Sequence, residues 1–170
     1  GRLPAGVGYV VADVIGPMTG TEPDESPMRL LAGHANPSAE HPIFRPGVAE
    51  AFFRARYRAF VADAAARAAY GRLFSGLADP GRVPAVFHCT TGKDRTGWAA
   101  ASTLLFLGVA EEDVFHDYLQ TNSQLLPALK PMMDQFASAG GDPESLRSVL
   151  GVEREYLQTA LDVVADKYGS

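Results

Sequence analysis

The sequence has one cysteine, and it has no group of cysteines or histidines at the spacing of metal ligands. An intrachain disulfide needs two thiols and a zinc ribbon needs several Cys or His ligands, so both kinds of scaffold are excluded. We therefore expect neither a metal nor a cofactor. The lone thiol of Cys89 is left free for chemistry of its own.

Long apolar runs and an excess of positive charge are also missing. The most apolar stretch, residues 98–110, is interrupted by Ser102, Thr103 and Gly108 and falls short of the roughly 20 residues that cross a bilayer. Fifteen Lys and Arg against twenty Asp and Glu give a formal net charge of −5. We expect no nucleic-acid partner and no integral membrane association. The pattern does not separate a cytoplasmic from a secreted location, and it leaves the oligomeric state open.

The residues that are present suit a single α/β domain over residues 1–170. Hydrophobic residues make up 46% of the 170, enough for one buried core. β-Branched runs at 9–15 and 83–88 predict buried strands, and residues 16–46, with six of the twelve prolines, predict a flexible loop. Helical periodicity predicts helices at 48–78, 96–107, 111–121, 125–139, 143–150 and 152–168. We expect a break at Gly71 in the first of these and Asp142 as the N-cap of the fifth.

The turn between the second predicted strand and the helix after it carries the candidate chemistry. A cysteine is followed six residues later by an arginine, with Gly92 between them. Five intervening residues allow the backbone to curl into a bowl whose N–H groups point inward above a helix N-terminus, which favours bound phosphate. The residues expected to bind the substrate phosphate are Thr90, Thr91, Gly92, Lys93, Asp94, Arg95 and Thr96.

In this loop Cys89 is the predicted nucleophile. The N–H dipoles and cations that hold phosphate also favour a thiolate. Attack on phosphorus would give a phosphocysteine that water then hydrolyses, with the Thr96 hydroxyl donating to the departing thiolate. The planar fork of Arg95 matches two phosphate oxygens. This mechanism predicts a phosphatase that needs no metal.

The proton for the leaving oxygen has two candidate sources. Asp94, beside Arg95, is the favoured general acid, and Asp13, at the end of the first predicted strand, is the alternative. The ammonium of Lys93 either recognises a further anionic group, such as a second phosphate on an inositol ring, or makes the loop electropositive. His88 is expected to orient the loop from below.

The sequence from His88 to Gly97 resembles the active-site loop of the Cys-dependent protein tyrosine phosphatase superfamily. The likeness is greatest to its bacterial branch, to which mycobacterial protein tyrosine phosphatases belong, and it extends to 117–122, 151–157 and 168–170. It implies a protein-tyrosine-phosphatase-like fold, in which a central sheet is flanked by helices and a helical lid covers 123–150. It also implies activity on phosphotyrosine, with tolerance of phosphoserine, phosphothreonine and phosphoinositides. The substrate partner would be a phosphorylated protein or a phosphoinositide. Asn122 would either approach the phosphate or cap its helix.

The chain also departs from that family in ways that carry further expectations. Members have a longer N-terminal region with more strands, so the sheet is expected to be incomplete here. A carboxylate expected near Gly16 is replaced, which leaves Asp13 or Asp94 as the acid. The alternative to an enzyme is therefore a catalytically weak or inactive phosphate-binding module, which would bind phosphorylated ligands without turnover.

Overall fold

The protein is described by a computed structural model that covers residues 6–16 and 41–169. Within these two ranges the regular structure consists of six α-helices and two short 3₁₀-helices, Pro42–Phe44 and Pro80–Arg82. The α-helices are α1 (Val48–Ala62), α2 (Ala64–Leu77), α3 (Arg95–Phe106), α4 (Glu111–Ser138), α5 (Pro143–Leu150) and α6 (Arg154–Tyr168).

The predicted central sheet is wrong for these residues, because none of them forms a strand. The runs at 9–15 and 83–88 form no hydrogen-bonded ladder with each other or with another described segment. Their side chains are largely open to solvent, with Val10 62% and Val86 92% exposed. A β-branched run becomes a strand only where a second strand satisfies its N–H and C=O groups, and the described chain offers no such partner.

The helix boundaries differ from the predicted ones where a capping side chain outweighs periodicity. The first predicted helix breaks at Asp63, whose carboxylate accepts the N–H groups of Ala65 and Ala66 at 2.8 and 3.0 Å, so the break predicted at Gly71 is wrong. The predicted helices at 111–121 and 125–139 form one continuous helix, α4. The predicted N-cap Asp142 is confirmed, because its carboxylate accepts the Glu144 N–H at 3.0 Å.

Helix α1 lies at the centre of the fold and packs against α6, α2 and α5. Its apolar face, spaced four and three residues apart, carries Phe53, Tyr57 and Phe60, all of them buried. The ring of Phe53 stacks on that of Tyr156 in α6, with centroids 5.3 Å apart. Burial of these rings supplies much of the apolar area that stabilises the fold.

A second core cluster joins the predicted lid segment, 123–150, to the start of α1. It includes Leu146, Val149 and Leu150 of α5, together with Ile43 and Phe44 of the first 3₁₀-helix. These two residues belong to the loop predicted over 16–46, of which residues 17–40 lie outside the described part of the chain. Any lid opening that moves α5 has to separate this cluster.

Replacing Gly97 with alanine is expected to destabilise the protein, because a Cβ there would lie 3.1 and 3.2 Å from two ring carbons of Tyr118. That ring is held by a 2.7 Å hydrogen bond between the hydroxyls of Tyr118 and Tyr57. We expect a loss of about 1–3 kcal/mol, the usual cost of overpacking. The matched control is Gly71→Ala inside α2, where an added Cβ meets nothing within 4 Å. It should gain about 0.5–1 kcal/mol in helix propensity. Urea midpoints of the two variants in the reverse order would contradict this packing.

Candidate active site

The loop from Cys89 to Asp94 connects an extended segment to the first residue of α3. Gly92 has a φ of +76°, which favours glycine because a Cβ is strained in that conformation. The turn brings the N–H groups of Gly92 and Thr96 to the Cys89 sulfur, as both stabilise its charged form. The half-buried thiol thus lies at the N-terminus of α3, where a negative charge is favoured.

Burial raises the pKa of the Cys89 thiol, but the polar groups around it outweigh that effect. The hydroxyl and N–H of Thr96, the N–H of Gly92 and the charge of Arg95 all favour the thiolate, so the pKa lies below its ordinary value. The Thr96 hydroxyl is buried and makes no other hydrogen bond among the described residues. It stabilises the thiolate of Cys89, to which it is free to donate.

Arg95 is fixed at both its side chain and its backbone. Its Nη2 donates to the Thr90 hydroxyl at 3.1 Å, across the loop from the helix start. Its carbonyl accepts a hydrogen bond from the Tyr70 hydroxyl of α2 at 3.3 Å. Thr91 is half-buried in the same loop. The predicted nucleophile and the predicted phosphate-binding cation are therefore brought together.

Asp94 carries a carboxyl group suited to holding a proton. Its side chain is only 15% exposed, with Oδ2 3.4 Å from the Lys93 ammonium. Its Oδ1 is buried and has no hydrogen-bond partner in the described part of the chain. Burial raises the pKa of Asp94, and the nearby cations of Lys93, Arg56 and Arg95 oppose only part of that rise.

The Lys93 side chain points into the protein and is fully buried. Its ammonium donates to the carbonyl oxygen of Gly151 at 2.8 Å and lies 4.0 Å from the centre of the Phe53 ring. Burial lowers the pKa of this lysine, while the Asp94 carboxylate opposes that change. Recognition of a further substrate anion by Lys93 stays a prediction, and in this structure its ammonium faces away from solvent.

The three remaining predicted site residues each lie within hydrogen-bond distance of backbone groups. Asp13 is exposed, and its pKa is lowered by the backbone N–H groups of Gly16 and Ile15, which its Oδ1 accepts at 2.9 and 3.1 Å. The exposed His88 places Nδ1 3.0 Å from the carbonyl oxygen of Cys89. Asn122 lies inside α4, so the alternative that it caps its helix is wrong, and it hydrogen-bonds the backbone of Val152.

Two residues near the loop were missed in the sequence. Tyr70 of α2 holds the Arg95 carbonyl, and Arg56 of α1 lies close enough for the charges of Asp94 and Arg95 to act on it. Nη1 of Arg56 is buried without a hydrogen-bond partner among the described residues. Its position on the same face of α1 as Phe53 and Phe60 could have been predicted from the sequence, because Arg56 follows Phe53 by three residues and precedes Phe60 by four.

Other features of the described chain lie apart from this loop. Two surface grooves of about 550 and 490 Å³ lie beside α4 and α2, and no residue from His88 to Gly97 lines either one. In the described ranges, no three His, Cys, Asp or Glu side chains are grouped so that they could hold a metal ion. None of the helices described here has the length and apolar character needed to cross a membrane.

Comparison with known proteins places this sequence in a family. The sequence model of the tyrosine phosphatase family matches residues 2–170. A provisionally named tyrosine-protein phosphatase of Cupriavidus necator is 35% identical over 85 residues, which cover 50% of this chain and 31% of that protein. The triple specificity protein phosphatase PtpB of Mycobacterium tuberculosis is 34% identical over 125 residues, or 67% of this chain and 45% of that protein. The chain thus spans less than half the length of both relatives.

Proposed function

The chain belongs to the tyrosine phosphatase family, and on that premise we propose that it hydrolyses phosphotyrosine monoesters through a phosphocysteine intermediate. The observation that carries the proposal is the setting of Cys89. Its pKa is lowered by the groups that would also hold a phosphate, namely the N–H groups of Gly92 and Thr96 and the guanidinium of Arg95. These groups supply the positive electrostatics of the reaction, so the mechanism needs no metal.

In the first step the Cys89 thiolate attacks phosphorus, and the bond from phosphorus to the ester oxygen breaks. The leaving oxygen takes the proton of Asp94, whose raised pKa suits it to carry one. The guanidinium of Arg95 and the loop N–H groups bind the non-bridging oxygens as their charge develops. The products are the free alcohol and a phosphocysteine.

In the second step water attacks the phosphocysteine and the phosphorus–sulfur bond breaks. The Asp94 carboxylate takes a proton from the water, which regenerates the acid for the next cycle. The electron pair of the broken bond returns to the Cys89 sulfur, toward which the buried Thr96 hydroxyl can donate. Inorganic phosphate then leaves.

The proposed substrate range extends to phosphoserine, phosphothreonine and phosphoinositides. The exposure of the loop supports this range, because Thr90 and Gly92 are exposed and Cys89 is only half-buried. A short phosphoserine side chain can therefore bring its phosphorus to the sulfur as well as a longer phosphotyrosine can. The triple specificity named for the mycobacterial relative points the same way.

The test is turnover of p-nitrophenyl phosphate and of a phosphotyrosine peptide, each with a metal chelator present. We expect steady-state hydrolysis that the chelator leaves unchanged and that vanadate inhibits, because vanadate occupies the site of the transferred phosphoryl group. Rates of hydrolysis of a phosphoserine peptide and of phosphoinositide vesicles define the substrate range. Vanadate binding without turnover on any substrate would instead show a phosphate-binding module.

A further inference from the structure

We propose that Lys93 is a positioning residue rather than a contact to substrate. Its ammonium holds Asp94 and links the phosphate loop, residues 89–94, to the backbone at residues 151–152. We call this link the tie. The inference rests on the proposed function, since it assigns how the acid of that reaction is placed. It differs from the expectation that a lysine in a phosphate loop recognises a second anion.

The ammonium of Lys93 has its interactions inside the protein. It donates to the Gly151 carbonyl at 2.8 Å, pairs with Asp94 Oδ2 at 3.4 Å and lies 4.0 Å from the centre of the Phe53 ring. The side chain has no exposed surface. A buried ammonium is tolerated only where such partners replace water, so moving it toward a substrate would break the ion pair of the buried Asp94.

The far end of the tie is itself fixed by α4. Asn122 accepts the N–H of Val152 and donates to the Val152 carbonyl, both at 2.8 Å. Gly151 allows this approach, because a Cβ there would lie 2.7 Å from Asn122 Oδ1. The contacts therefore run without a gap from Lys93 through 151–152 to Asn122, the residue just before the predicted lid.

At the near end, the ion pair engages one oxygen of Asp94 and leaves the other without a hydrogen bond to the described residues. Oδ2 faces Lys93, while Oδ1 is buried with no hydrogen-bond partner in the described chain. A carboxyl held at one oxygen keeps its other oxygen in a fixed place, which is what proton transfer to a bound substrate requires. The charged and titratable groups around Asp94 are Lys93, Arg95, Arg56, Tyr57, Tyr70, Tyr118 and Tyr156.

Removing the Lys93 charge is expected to shift the pH profile of kcat/KM in a defined direction. The ammonium lowers the pKa of Asp94 against the larger effect of burial, so without it the carboxyl stays protonated to higher pH. The alkaline limb of kcat/KM, where the acid is lost, should move to higher pH in Lys93→Met. A residue with only a structural role would lower activity without moving that limb.

The experiment compares Lys93→Met with Lys167→Met, a matched change at the exposed end of α6. For Lys93→Met we expect kcat on p-nitrophenyl phosphate to fall roughly 10–100-fold, by analogy with the loss of an orienting partner. KM should stay within about two-fold, since binding is retained when only the transition state loses an interaction. The same loss should appear on a phosphoinositide with several phosphates. A KM rise confined to that multiply phosphorylated substrate, with kcat unchanged, would overturn the proposal.

Asn122→Ala breaks the tie from its far end and leaves Lys93 in place. Residues in one network give non-additive effects, so the double variant should lose little more activity than Lys93→Met alone. Losses that multiply would overturn the tie. Amide hydrogen exchange measures how well these contacts protect the backbone, and it needs no turnover. Both single variants should exchange faster at 89–96 and 151–152 than Lys167→Met. Unchanged protection there would contradict the proposal, whereas an inactive wild-type protein would contradict the proposed function alone.

Discussion

Replacing Cys89 with serine is expected to lower kcat for p-nitrophenyl phosphate by about 10⁴–10⁶-fold, the range seen when a covalent nucleophile is removed. The surrounding hydrogen bonds and the charge of Arg95 lower the pKa of the thiol. A serine hydroxyl starts from a far higher pKa, so the same groups do not ionise it at neutral pH. Steady-state kinetics of purified wild type and variant measure the loss.

The binding site should survive this change. The N–H groups of Gly92 and Thr96 and the guanidinium of Arg95 do not depend on the sulfur, so inorganic phosphate should still bind to Cys89→Ser in a calorimetric titration. Lost phosphate binding would mean that the loop had collapsed, in which case the activity loss would say nothing about the nucleophile. Normal turnover with intact binding would rule out the thiolate mechanism.

Replacing Asp94 with asparagine is expected to cost roughly 10²–10⁴-fold, the contribution of a positioned general acid. The loss should be greater on phenyl phosphate than on p-nitrophenyl phosphate, because the poorer leaving group depends more on protonation. Burial raises the pKa of Asp94, so the wild-type rate should fall as the pH rises through that pKa, and the fall should disappear in the variant. Rates on the two esters across pH measure both effects.

Asp13→Asn separates the two candidate acids. Asp13 is exposed, and backbone N–H groups lower its pKa, so it holds a proton poorly at neutral pH. A leaving-group-dependent loss in Asp13→Asn, with little effect in Asp94→Asn, would transfer the acid role to Asp13. We favour Asp94 because it combines a raised pKa with a position next to Arg95 in the sequence.

The part of the site that could be predicted is the part that is contiguous in sequence. The spacing of Cys89, Gly92 and Arg95 placed a turn and a helix start, and α3 begins at Arg95, one residue from the predicted start. Neighbouring residues are enough to predict these features, because a glycine in the left-handed conformation and the first turn of a helix both depend on local sequence. The direction of the Lys93 side chain could not be predicted from the sequence, because its partner Gly151 is 58 residues away in the chain.

The fold was harder to predict because it depends on which segments find partners. The runs at 9–15 and 83–88 have strand-like residues, yet each needs a neighbouring strand that the described chain does not supply. The helices were easier, since their hydrogen bonds are internal and their apolar faces repeat. Even there the helix break predicted at Gly71 lies instead at Asp63, whose carboxylate caps the next helix.

The most direct test of the account is to trap the intermediate. Wild-type protein is mixed with excess p-nitrophenyl phosphate, quenched within milliseconds, digested and analysed by mass spectrometry. We predict that the peptide containing Cys89 gains the mass of one phosphoryl group, that the gain appears before steady state, and that it is absent in Cys89→Ser. Turnover without any phosphorylated Cys89 peptide, or with the phosphoryl group on another residue, would contradict the proposed mechanism.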